Sequence, residues 1–181
     1  DQWNNKSTKI VKVKVKIKET MVLIAYPKLN PSKINGYKNN DSVAIIIGIE
    51  KYKNQFECIY CNRDASFFRE YATRALGVKS SNIKLLVDSK ATRPEIFKAF
   101  KLWLPRIAGE DKDIYIFFAG HGLASDDGND LYILPQDGES SLLEDTAISR
   151  VELISFIQKI NPKSVTMFFD TCYSGQTRDE R

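Results

Sequence analysis

The chain holds a single histidine, His121, and three cysteines. Two stretches set that histidine and one cysteine in the same kind of surroundings. Asp-Ile-Tyr-Ile-Phe-Phe-Ala-Gly-His-Gly runs from Asp113 to Gly122, and Ser-Val-Thr-Met-Phe-Phe-Asp-Thr-Cys-Tyr-Ser-Gly runs from Ser164 to Gly175. Each is an apolar run, rich in β-branched and aromatic residues, that stops abruptly in small and polar ones. Both read as strands buried on two faces. His121 and Cys172 then stand at strand carboxyl ends, where an open α/β sheet forms its ligand crevice. A Cys and a His placed there can work as a thiolate and imidazolium pair, in which the imidazole lowers the thiol pKa and later protonates a leaving amine. A solitary His or Cys in such a run is ordinarily a core residue. The joint pattern argues otherwise: Gly120 and Gly122 flank His121, and Tyr-Ser-Gly follows Cys172. Glycines at those points let a substrate backbone approach and leave amides free to face a reacting carbonyl.

The elements that must position these residues alternate. Val43 to Ile49 is too continuously apolar to be exposed on either face and reads as a central strand. Asn62 can cap a helix running to Gly77. Ile83 to Val87 is the next strand, and Thr92-Arg-Pro-Glu95 is a capping box opening a helix with Ile96, Phe100, Trp103 and Leu104. After the His121 strand come an acidic loop from Leu123 to Asp130 and a short strand from Leu131 to Leu134. Ser149-Arg-Val-Glu152 is a second capping box, starting a helix with Val151, Ile154 and Ile157 that stops before Asn161-Pro162. Strands alternating with helices require parallel crossovers, hence an α/β sheet flanked by helices.

His121 about 50 residues upstream of Cys172 is the caspase spacing. With Gly120-His121-Gly122 and Asp170-Thr171-Cys172-Tyr173-Ser174-Gly175, it resembles the metacaspase and paracaspase branch of the caspase-like cysteine peptidases, over roughly Asp41 to Gly175. The signature Gln-Ala-Cys-x-Gly is absent, which speaks against an aspartate-cleaving caspase. The resemblance implies a three-layer α/β/α sandwich with a mostly parallel sheet, of which this chain is the large subunit, matured by proteolysis. A small subunit would supply the two missing core strands and cover the apolar edge at Ser164 to Phe169. It also implies Cys172 as nucleophile, His121 as general acid and base, and the amides of Gly122 and Cys172 as the oxyanion hole, with no third residue identifiable to orient His121.

Specificity is expected from carboxylates. Asp170 lies two residues before Cys172, so both side chains leave the strand on one side. Asn62-Arg63-Asp64-Ala65 is similar to the family motif that supplies another pocket acid, Asp64. Two carboxylates would receive a guanidinium in bidentate fashion, giving cleavage after Arg and also Lys. Arg181 resembles the end left by self-cleavage of an arginine-preferring enzyme. Many metacaspases require calcium, and Asp126, Asp127, Asp130 and Asp137 form an acidic loop suited to a hard cation. The family's paired calcium acids align with Arg150 and Val151, however, so no metal or other cofactor is expected. Two other readings stand beside this one: an idle caspase-like binding scaffold, and an aspartate-specific caspase with a basic pocket.

The rest of the chain bounds the reading. Its 181 residues, 43% hydrophobic, suffice for one ordinary domain. No apolar run is long enough to span a bilayer and no signal-peptide pattern is present. Three cysteines make a poor disulfide framework, so the cytoplasm is the expected location. Cys58-x-x-Cys61 hints at zinc or redox chemistry but lacks the second Cys or His pair of a metal site. Residues 1–40 carry nine lysines against Asp1 and Glu19, and Ile10 to Ile17 alternates like a strand that could pair with Met21 to Tyr26. They read as an accessory hairpin plus linker before a catalytic unit at residues 41–181. Without arginine and with few aromatics, the basic segment is a solvated face rather than a nucleic-acid surface.

Overall fold

The computed structural model describes residues 30–34, 36, 38–125 and 127–171. The proposed hairpin at Ile10 to Tyr26, Asp126, Cys172 and Arg181 lie outside the described residues. Four parallel strands form the main sheet in the order β2-β1-β3-β7, with β1 Ser42–Gly48, β2 Ile83–Val87, β3 Asp113–Ala119 and β7 Ser164–Asp170. Registers run Ala44 with Ile83, Val43 with Ile114, and Ile114 with Val165. A small antiparallel sheet holds β4 Gly122–Ala124, β5 Leu131–Ile133 and β6 Ile148–Ser149.

Strand alternation divides the core into two layers. Val43, Ile45 and Ile47 of β1, with Ile114, Ile116 and Phe118 of β3, face α2 Arg93–Lys98, a π-helical stretch Ala99–Trp103, α3 Leu104–Ile107 and α5 Arg150–Gln158. Ala44 and Ile46, with Phe117 and Ala119, face α1 Cys61–Arg74. A further short helix, α4 Leu143–Thr146, precedes β6. β1 is buried along its whole length, as its unbroken β-branched run requires. Gly48 is where α1 comes closest: a Cβ there would lie 2.5 Å from the Ala65 Cβ and 2.8 Å from the Cys61 carbonyl oxygen. The three-layer α/β/α arrangement is therefore present.

Several local expectations are corrected. The strand carrying Asp170 is not buried on two faces: β7 pairs only with β3 among the described strands, and Val165 and Phe168 remain 41% and 42% exposed. Among the described strands it is the edge of the sheet, the apolar edge that the resemblance leaves for a small subunit. Asn62 does not cap α1, which begins at Cys61 after Tyr60 in a left-handed turn; its amide instead donates to Asp88 Oδ2 at 2.6 Å. The Thr92 side chain makes no capping bond, Glu95 pairs with Lys98, and Asp137 accepts the Arg93 N–H at 2.8 Å from across the fold. Pro105, with no N–H to donate, sits in the first turn of α3, where none is needed. The second capping box does form, with Ser149 Oγ accepting from the Glu152 N–H at 3.0 Å, but Val151 is 60% exposed and the buried positions of α5 are Leu153 and Ile157.

Cys58 and Cys61 are joined in a disulfide, although three cysteines read as a poor disulfide framework. The left-handed Tyr60 closes a tight turn, with the Cys61 N–H donating to the Cys58 carbonyl, so sequence proximity alone brings the pair together. The end of the expected linker is docked: Asn39 bridges to Val78, donates to Asp113, and accepts from the Ser42 hydroxyl and the Asp41 N–H.

Candidate functional site

His121 follows β3 through Gly120, and the ladder to β7 continues past the strand ends, because the Gly120 N–H donates to the Asp170 carbonyl at 3.3 Å. The two carboxyl ends that lead to His121 and Cys172 are therefore neighbours. The His121 carbonyl accepts from the Leu134 N–H at 3.0 Å, and Gly122 opens β4 as a buried residue paired with Ile133. The Cys172 thiol and N–H lie outside the described residues, so of the sequence-derived dyad and oxyanion donors the structure locates His121 and Gly122.

The imidazole is oriented by a group that sequence reading missed. His121 Nε2 lies 2.7 Å from the Phe56 carbonyl oxygen. A carbonyl only accepts, so Nε2 carries a proton and Nδ1 is the nitrogen left to take one. Phe56 acts through its main chain, its ring being 84% exposed. Every residue has a carbonyl, so no residue type could have signalled this contact. A second neighbour, Tyr52, accepts the His121 backbone N–H at its hydroxyl, 2.7 Å away. Gly120 makes room for that hydroxyl: a Cβ there would lie 2.4 Å from Tyr52 Oη and 2.8 Å from Phe118 Cζ. Its small size serves the packing beneath His121.

The two carboxylates singled out in the sequence do meet. Alternation along β7 turns Phe168 and Asp170 toward the α1 layer, and Asp64 lies in the first turn of α1. They line one pocket of about 390 Å³ with Arg63, Phe67, Phe68, Tyr71 and Phe117. Phe68 forms much of its wall, stacked on Phe117 at 4.4 Å between centroids and tilted against Phe168 at 5.1 Å. Among the described residues Arg63 is the one cation in this lining, its Nε 3.7 Å from Asp64 Oδ1 and its guanidinium 4.0 Å over the Tyr60 ring.

The acidic loop is differently occupied. Asp127 accepts from the Ser125 hydroxyl, the Asn129 N–H and the Asn129 amide; these bonds, the first foremost, lower its pKa to about 2. Asp130 accepts the Leu131 N–H, and Asp137 holds the start of α2. These carboxylates brace turns and the start of a helix. Among the described residues no helix is long and apolar enough to cross a membrane.

Fold and geometry define an α/β protein whose histidine and paired carboxylates gather at the carboxyl ends of parallel strands, the crevice position of such sheets. A family model described as the caspase domain matches residues 41–181, and the chain belongs to that family. It is similar to Metacaspase-1 from two strains of Saccharomyces cerevisiae, YJM789 and ATCC 204508 / S288c, each 27% identical over 153 residues that cover 75% of this chain and 34% of the relative. The chain thus spans about a third of the length of the curated relatives it matches. A crystal structure of a Geobacter sulfurreducens protein shares the fold with a TM-score of 0.59, at 18% identity, over 75% of this chain and 52% of the other.

Proposed function

We propose that this chain is the catalytic large subunit of a cysteine endopeptidase that cleaves after Arg, and after Lys. The observation carrying the specificity is the meeting of Asp64 and Asp170 in one pocket with aromatic walls. A P1 guanidinium would stack its stem on Phe68 and offer its fork to the two carboxylates. A P1 aspartate would face two like charges, which disfavours the aspartate-specific reading.

In this reading the Cys172 thiol gives its proton to His121 Nδ1 and the thiolate attacks the scissile carbonyl carbon. The new C–S bond pushes the carbonyl electrons onto oxygen, where the N–H groups of Gly122 and Cys172 receive them; one such donor is worth about 3 kcal/mol of barrier. Collapse breaks the C–N bond as the imidazolium protonates the departing amine. Water, deprotonated by His121, then hydrolyses the thioester. The Phe56 carbonyl holds Nε2 throughout and supports the tautomer this sequence of proton transfers needs.

A small subunit from the same precursor would add a strand to β7, whose exposed Val165 and Phe168 suit that pairing. Cleavage at Arg181 would be self-processing, and catalysis would need neither calcium nor a cofactor. The test is hydrolysis of matched fluorogenic peptides ending in Arg, Lys or Asp by the full-length protein and its Cys172→Ala variant. Cleavage after Arg that vanishes in the variant, together with processing at Arg181, is expected. Uncut peptides from folded, processed protein would favour the idle scaffold, and cleavage after Asp would overturn the pocket assignment.

A further inference from the structure

Tyr52 lies in the loop after β1, outside every motif that the proposed chemistry uses. Its ring packs against the His121 imidazole, with centroids 4.6 Å apart and planes tilted by 36°. Its hydroxyl takes the His121 backbone N–H at 2.7 Å. Ring and hydroxyl thus hold the side chain and the main chain of one residue. Gly120 is incompatible with any Cβ because that hydroxyl stands beside it.

The loop is itself fastened. Asp88 Oδ1 accepts the N–H groups of both Glu50 and Lys51 at 2.9 Å, and its Oδ2 accepts the Asn62 amide. The Lys53 N–H donates to the Gln136 carbonyl at 2.9 Å. Tyr52 is therefore fixed from both flanks, and Asp88 holds a left-handed backbone at φ 45° while doing so. Burial pushes the Tyr52 phenol well above its ordinary range, so its hydroxyl stays neutral at any physiological pH.

We propose that Tyr52 is a positioning residue for His121, its hydroxyl anchoring the main chain at the end of β3 while its ring sets the imidazole plane so that Nε2 meets Phe56 and Nδ1 faces the end of β7. This rests on His121 being the acid and base of the proposed peptidase and adds the group that aims it. A misaimed base costs up to about 100-fold in turnover for displacements on the scale of an ångström.

Because His121 is the chain's only histidine, its ring resonances need no assignment, and the test does not depend on activity. In the full-length wild-type protein, nuclear Overhauser contacts between the Tyr52 and His121 rings are expected; their absence overturns the proposal before any variant is made. In Tyr52→Phe, which keeps the ring, the nitrogen-15 shifts of His121, followed to alkaline pH until they cease to move, should change from those of an Nε2–H tautomer toward those of a mixture. The kcat should fall about 10- to 100-fold with KM unchanged. A merely structural tyrosine would lower the melting temperature and leave the tautomer and kcat of the folded fraction as in wild type, which overturns the proposal. If wild type cleaves no peptide while Tyr52→Phe still shifts the tautomer, the peptidase reading fails and the positioning of His121 stands.

Discussion

Replacing Asp64 and Asp170 by Asn, singly and together, tests the pocket most quantitatively. The change is nearly isosteric and, at Asp170, leaves untouched the carbonyl that binds the Gly120 N–H. A hydrogen bond to a charged partner contributes about 1.5–3 kcal/mol. The Asp64 side chain is 36% exposed and Asp170 ends an exposed edge strand, so screening by water favours the lower end. About 1.5 kcal/mol corresponds to about a tenfold loss of kcat/KM for an Arg peptide per carboxylate. Both acids would grip one guanidinium, so the double variant should depart from the product of the single losses by about 0.5 kcal/mol or more. The assay is kcat/KM on peptides differing only in Arg, Lys or Gln at the cleavage position. Cleavage of the Gln peptide should stay within about twofold of wild type, because it carries no charge to lose. Equal losses on Arg and Gln peptides would refute the reasoning, showing that the acids shape the fold and not the specificity. So would a double variant that still prefers Arg.

Other outcomes follow from single contacts. Arg63→Gln removes a competitor whose exposed ion pair with Asp64 is worth at most about 1 kcal/mol, so KM for Arg peptides should fall by up to about fivefold in steady-state assays. Gly48→Ala forces a methyl against Ala65 and the Cys61 carbonyl and should cost about 1–3 kcal/mol in urea unfolding, unless α1 lifts freely from β1. Asp113, whose pKa is lowered chiefly by the Ser164 hydroxyl, stabilises the fold fully above its ordinary value of 3.8 and progressively less as pH falls below it. Asp113→Asn should therefore flatten the acid limb of the stability curve without further loss below that limb, as followed by melting against pH. Calcium titration of peptide hydrolysis should leave the rate unchanged, since Asp127, Asp130 and Asp137 are spent on turns and on the start of α2; strong activation would overturn this.

Much of the fold was legible because its strands are either wholly apolar or end in abrupt polar stops. Ile83–Val87 coincides with the reading from sequence, and β1 is displaced by one residue at each end. The edge at β7 was expected through the strands that the family resemblance leaves missing, and not from its own run Val-Thr-Met-Phe-Phe, which would equally suit a central strand. Caps failed where a distant group did the work. Asp137 reaches the start of α2 across the chain, and Asp88 draws Asn62 away from the end of α1. Asp64 and Asp170 could be paired in advance through a motif and a strand parity, whereas Phe56 acts by a carbonyl common to all residues and Tyr52 lies on a loop without periodicity. The Cys58–Cys61 bridge depends on a left-handed tyrosine, a conformation that residue type does not announce.

The central claim, a Cys172–His121 pair served by an acidic pocket, is tested most directly by covalent trapping. The full-length protein is treated with a peptidyl chloromethyl ketone ending in Arg and, separately, with its Asp counterpart, and the modified residue is located by peptide mapping. A stoichiometric adduct on Cys172 with the Arg reagent alone is expected, lost in Cys172→Ala and formed far more slowly in His121→Ala. An adduct that ignores the Arg-for-Asp exchange, persists unslowed without His121, or forms only at Cys58 or Cys61 would contradict it.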